Sequence, residues 1–161
     1  MGSGKTSVGR LLAKTLVIDF IDLDEYIEKK EGNTITEIFE KSGENGFREI
    51  EHAYLLELLA LTKRTVISLG GGTVCFFNTV ELIKEKGLLV YLKTDVDALY
   101  QRLNKESDTR PMLQKSKGNT LRDLIKNKLV EREPYYLQAD LIVDSSQNTE
   151  EVAGQIEKWL K

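Results

Sequence analysis

Cysteine is almost absent from this 161-residue chain: Cys75 stands alone. No internal disulfide can form, and a reduced, cytoplasmic setting is expected. Proline occurs twice and histidine once, and no Cys/His spacing suggests a metal cage. No apolar run approaches the length that spans a bilayer, and no charged-then-apolar leader opens the chain. Positive charge is not in excess either. With 23 Lys and Arg against 26 Asp and Glu, the net charge is −3, which argues against a broad nucleic-acid-binding surface. It leaves room for an anionic small molecule, because a few arginines can reverse the field inside one cleft. What remains is 40% hydrophobic and 30% charged, the balance of a globular protein rather than a disordered or fibrous one. One domain over residues 1–161 is expected, long enough for a core without staples.

Short runs rich in Val, Ile and Leu read as strands buried on both faces: 18–21, 65–69, 88–92 and 141–143. Helical spacing covers 5–16, 44–60, 80–86, 96–103, 121–133 and 150–160. In 44–60, for example, Phe47, Ile50, Tyr54, Leu55, Leu58 and Leu59 form one stripe, and Ile156 and Trp159 continue a core stripe in the last helix. Alternating strands and helices predict a three-layer α/β/α sandwich around a central parallel sheet. The polar stretch 104–119 between two helices, holding Arg110, Pro111 and Gly118, reads as a lid insertion or a solvated loop.

The opening Gly2-Ser-Gly-Lys-Thr6 runs directly into a helix and matches the second half of a phosphate-binding loop. Glycines let backbone N–H groups reach phosphate oxygens, and a helix N-terminus favours an anion. Lys5 is placed for β- and γ-phosphates and Thr6 for Mg²⁺. The loop's first glycine would precede Met1, and the strand that feeds such a loop is missing, so a trimmed chain is expected. In Phe20-Ile-Asp-Leu-Asp24, Asp22 and Asp24 are expected on the same side of a strand end. One suits a metal-bound water and the other a hydroxyl proton, with an Asp N-cap as the alternative for one of them. Gly70, Gly71 and Gly72 end another strand, either as a tight turn or where a ligand nears the backbone. Arg48 and Glu51 share a helix face at i, i+3, and Arg132 lies near a helix end. Arginine's planar fork suits a carboxylate or phosphate. His52 reads as a surface or packing residue rather than a base, and nothing near Cys75 marks it as an activated thiol.

Six segments in order resemble shikimate kinase: Gly2–Thr6, Phe20–Ile27, Gly46–Glu51, Ile67–Gly72, Arg110–Leu113 and Arg132–Tyr135. The resemblance implies a five-stranded parallel sheet of nucleoside-monophosphate-kinase type, whose leading strand this chain lacks. It implies transfer of the γ-phosphoryl group of ATP to the 3-hydroxyl of shikimate, in the pathway to chorismate and aromatic amino acids. ATP would contact Gly2, Ser3, Gly4, Lys5, Thr6, Ser7, Arg102 and Arg110, with the segment 145–150 beside the adenine. Mg²⁺ would sit on Thr6 and, through water, Asp22. Asp24 would be the base, assisted by Lys5 and the lid's Arg110. Shikimate would contact Asp24, Arg48, Gly70, Gly71, Gly72 and Arg132. A monomer without nucleic-acid or membrane partners is expected. The rivals are a kinase of gluconate or a nucleoside monophosphate and a non-catalytic nucleotide-binding domain. Val17 stands where the family's helix commonly ends in Gly or Asn; a β-branched residue resists the left-handed cap, so a different exit is expected.

Overall fold

Apolar runs too short to be helices, set between amphipathic stretches, produce strands separated by one or two helices. The structure is a computed structural model that describes residues 2–106 and 120–161. Most of the lid insertion expected at 104–119, with Arg110, lies outside the described residues. In chain order the elements are α1 (Lys5–Leu16), β1 (Asp19–Asp22), α2 (Leu23–Glu31), α3 (Ile35–Leu59) and β2 (Thr65–Ser68). A 3₁₀ turn (Thr73–Cys75), α4 (Thr79–Lys86), β3 (Val90–Lys93) and α5 (Val96–Glu106) follow. The chain closes with α6 (Leu121–Tyr136), β4 (Leu141–Asp144) and α7 (Thr149–Leu160).

Among the described residues the strands form two parallel pairs. β1 lies beside β2 with Asp22 opposite Ser68, and β3 lies beside β4 with Lys93 opposite Asp144. Side chains leave the strands on both faces, and both faces are covered. On one, Val66, Val90 and Leu92 pack with Val8 and Leu12 of α1 and Val152 and Ile156 of α7. On the other, Ile21 and Ile67 meet Leu23, Ile27, Leu55 and Leu58 of α2 and α3. Leu23, Ile27 and Leu55 are almost wholly buried, each contributing about 1.5–3 kcal/mol. This is the three-layer α/β/α arrangement. Between β2 and β3 runs a cleft of about 600 Å³. Apolar side chains wall it, including Val8, Leu12, Val66 and Val90, and it opens on Ser3, Lys5, Gly70, Gly71, Arg132 and Tyr136.

Three local expectations change. α3 begins well before residue 44: Thr34 accepts from the Glu37 N–H while Glu37 reaches back to Thr34, a capping box. Gly43 (φ 68°) breaks this helix, and the amphipathic half follows the break. Val17 does adopt the left-handed cap that its branching disfavours, at φ 56° and ψ 47°. The Ile18 N–H bonds to the Ala13 carbonyl at 3.0 Å, which holds the closing turn, while the Val17 side chain points into solvent, 90% exposed. Trp159 is 44% exposed and does not continue the Ile156 core stripe. No helix among the described residues is long and apolar enough to cross a membrane.

Candidate active site

The glycines of the opening loop turn the chain into α1. Gly2 and Gly4 both take positive φ, 73° and 82°, which curves successive N–H groups around one point. Gly4 caps α1 without a side-chain bond, and no acidic residue occupies the first turn. The helix start therefore remains open to an anion. Arg102 of α5 donates to the Gly2 carbonyl (3.2 Å) and to the Ser145 carbonyl (2.8 Å), bracing the loop against the end of β4. Ser3, Lys5 and Thr6 are partly covered, and Ser7 faces solvent.

Beside this loop, β1 ends in carboxylates. β1 stops at Asp22, so the expected strand alternation does not bring Asp22 and Asp24 together. Asp22 is the N-cap of α2, and its side chain accepts from the Asp24 N–H at 3.1 Å. Its other oxygen accepts from Thr6 Oγ1 at 2.8 Å. Asp24 stands in the first turn of α2. Burial pushes its carboxyl above the usual carboxylate range, Lys5 opposes this, and Asp22, Glu51 and Glu28 reinforce it.

The amphipathic half of α3 turns two charged groups inward beside Phe47. Arg48 is 7% exposed and Glu51 2%. Arg48 Nη1 donates to Glu51 Oε2 at 2.7 Å, and Nη2 reaches Glu44 at 3.5 Å. The guanidinium lies between the rings of Phe47 and Phe76, at 5.1 and 4.8 Å. Its Nε is buried without a partner. Thr73 Oγ1 donates to the other Glu51 oxygen at 2.6 Å. None of the three consecutive glycines takes positive φ; space is what requires Gly70 and Gly72. A Cβ on Gly70 would lie 2.8 Å from Glu51 Oε1, 2.9 Å from Thr73 Oγ1 and 3.3 Å from Asp24 Oδ1, and one on Gly72 would run into the Arg48 guanidinium. The close approach expected of a ligand is thus made in part by the protein's own charged side chains.

α6 closes the pocket with Arg132 and Tyr136. The Tyr136 hydroxyl donates to the Gly71 carbonyl. Arg132 and Arg48 both draw down the pKa of Tyr136 and of Cys75, although burial raises both groups on balance. Two cations therefore converge on one small region, and Cys75 is no activated thiol. His52 stacks on Phe77 at 4.7 Å, a packing role. The structure brings Gly2–Thr6, Asp22, Asp24, Arg48, Gly70–Gly72, Arg102 and Arg132 to the C-terminal side of the strands, where open α/β sheets place ligands. Glu51 enters only as a helix neighbour of Arg48 in the sequence, and Thr73, Phe76 and Tyr136 carry no signal there beyond proximity to the motifs.

A divalent cation fits one corner of this site. Thr6 and Asp22 offer hard oxygens already in contact. The Ser68 hydroxyl, directly opposite Asp22, is buried without a partner. Among the described residues no group of three or more His, Cys, Asp or Glu forms a cage. Mg²⁺ characteristically binds one or two protein oxygens plus substrate phosphates.

Known proteins similar to this chain point to one family. The family model described as "Shikimate kinase" matches residues 1–161. A shikimate kinase of Parabacteroides distasonis is 43% identical over 145 residues, covering 90% of this chain and 83% of that protein. The crystal structure of shikimate kinase from Bacteroides thetaiotaomicron superposes with a TM-score of 0.92 at 36% identity, covering 99% of this chain and 93% of that one. Shikimate kinase from Acinetobacter baumannii, solved in complex with shikimate, gives a TM-score of 0.88 at 38% identity, covering 99% and 88%. The chain belongs to the shikimate kinase family.

Proposed function

We propose that this site transfers the γ-phosphoryl group of ATP to the 3-hydroxyl of shikimate, with Asp24 as the base that accepts the hydroxyl proton. The observation that carries the reading is the Arg48 guanidinium, held between two rings by Glu51 with its Nε unpartnered. A buried guanidinium lying against Gly72, with Asp24 against Gly70 of the same turn, is suited to a small anionic acceptor rather than to a neutral one. Arg132 supplies the second cation for the same carboxylate.

On the donor side, the N–H groups of Gly2–Thr6 would cradle the phosphates and Lys5 would follow charge onto the β–γ bridge. Thr6 and Asp22, the latter through water, would hold Mg²⁺, which when bound neutralises phosphate charge. Ser7, Arg102 and Arg110 would contact the nucleotide. Asp24 needs only to lie near the acceptor hydroxyl, and a raised pKa makes its carboxylate a stronger base than an exposed aspartate. Residues 1–161 act as one domain, a monomer in the cytoplasm.

ADP release measured over a panel of acceptors tests this. Shikimate is expected to be turned over, with gluconate and nucleoside monophosphates at background. Turnover of gluconate or a nucleoside monophosphate equal to or above that of shikimate would sink the reading.

A further inference from the structure

Every carbonyl of the triple-glycine turn has one donor. The Gly70 carbonyl accepts from the Thr73 N–H at 3.2 Å and the Gly72 carbonyl from the Cys75 N–H at 3.0 Å. The Gly71 carbonyl accepts from the Tyr136 hydroxyl instead, across 65 residues of sequence. The middle peptide of the turn is therefore held by a side chain on another element.

Tyr136 is the last residue of α6, one helical turn after Arg132, so their side chains share a helix face. The Arg132 guanidinium lies close enough to the phenol to counter the upward push of burial on its pKa. The Tyr136 ring packs against Tyr91 of β3, with centroids 4.9 Å apart. This contact needs no hydroxyl.

We propose that Tyr136 is a positioning residue for the phosphoryl acceptor: its hydroxyl joins Arg132 to Gly71, so the carboxylate grip and the pocket floor keep a fixed spacing. The inference rests on the acceptor pocket described above. It has a counterpart across the site. Glu51 bonds both Arg48 and Thr73 and lies against Gly70. Arg48 thus meets the glycine turn through Glu51 at Gly70 and directly at Gly72, while Tyr136, beside Arg132, meets it at Gly71. Loss of the Tyr136 hydroxyl would leave the Gly71 carbonyl without its donor and Arg132 free to swing, while the ring stack persists.

The test is Tyr136→Phe, titrated calorimetrically with shikimate, with shikimate methyl ester and with ATP, followed by steady-state kinetics. Loss of one buried hydrogen bond predicts that the Kd for shikimate rises about tenfold. The Kd values for the ester and for ATP should stay within about twofold, because neither uses the Arg132–carboxylate contact. Arg132→Ala is measured alongside. If Arg132→Ala leaves shikimate binding unchanged, the carboxylate reading itself fails. If Arg132→Ala weakens binding and Tyr136→Phe does not, only the positioning role fails. Acid and ester weakening together, or a Tyr136→Phe chain that does not fold, would show a purely structural bond and overturn the proposal. Incorporating p-aminophenylalanine at position 136 restores an N–H donor to Gly71 but no good acceptor for Arg132, so shikimate binding should stay weak. Full recovery of shikimate binding in that variant would show that the donor to Gly71 suffices without Arg132, and also counts against the proposal.

Discussion

The two halves of the site are built by different means. On the nucleotide side, Gly2–Thr6 presents backbone N–H groups at an uncapped helix start, braced from outside by Arg102 at Gly2 and by Asp22 at Thr6. On the acceptor side, charged side chains are buried and cross-linked: Glu51 holds Arg48 and Thr73, and Tyr136 holds Gly71. A backbone cradle recognises any triphosphate and tolerates change in its side chains. A side-chain cage recognises one shape and charge, and it is intolerant of losing a single member.

The largest separation of the two halves should come from Asp24→Asn. Turnover is expected to fall about 10²–10⁴-fold, the usual worth of a positioned base, while shikimate and ATP still bind. The pH profile sharpens this. Because burial raises the Asp24 pKa, the acid limb of kcat/KM should lie above the ordinary carboxylate range, with activity falling as pH drops through it. Stability moves the other way. A raised native pKa favours the protonated carboxyl, and that contribution is lost as pH rises through it. Asp24→Asn should therefore melt higher than the unsubstituted chain at neutral pH, read by thermal denaturation.

Glu51→Gln probes the cage itself. It leaves the Arg48 charge buried without its 2.7 Å partner, which costs about 3–5 kcal/mol, and denaturant unfolding would register the loss. An unchanged midpoint would mean that the acceptor side is no more rigid than the loop. The smallest effect is expected away from both halves, at the far end of α1. Val17→Gly relieves the positive φ at the exit of α1 and should stabilise the chain by about 1 kcal/mol, offset in part by glycine's greater unfolded-state freedom.

The same contrast explains what could be read from the sequence. The phosphate loop is legible because its residues are contiguous and each has a chemical reason to be there. The alternation of strands and helices is legible because burial on both faces leaves β-branched runs. Glu51 could be paired with Arg48 because they share one helix face. Tyr136 could not be joined to Gly71, since a backbone carbonyl leaves no trace in residue type. The early turns of α3 were signalled only by Thr34 and Glu37, a pattern easily lost ahead of Gly43. Asp22 and Asp24 do meet, though through a helix cap rather than strand alternation. The Val17 cap shows backbone closure prevailing over a side-chain preference of about 1 kcal/mol where solvent accommodates the branch.

One measurement addresses the division directly: calorimetric titration of Arg48→Ala with shikimate and, separately, with ATP. Shikimate affinity should weaken by about 2–5 kcal/mol, as when one partner of a buried charge pair is removed, with ATP affinity essentially unchanged. Equal loss for both ligands would contradict a separate, side-chain-built acceptor site.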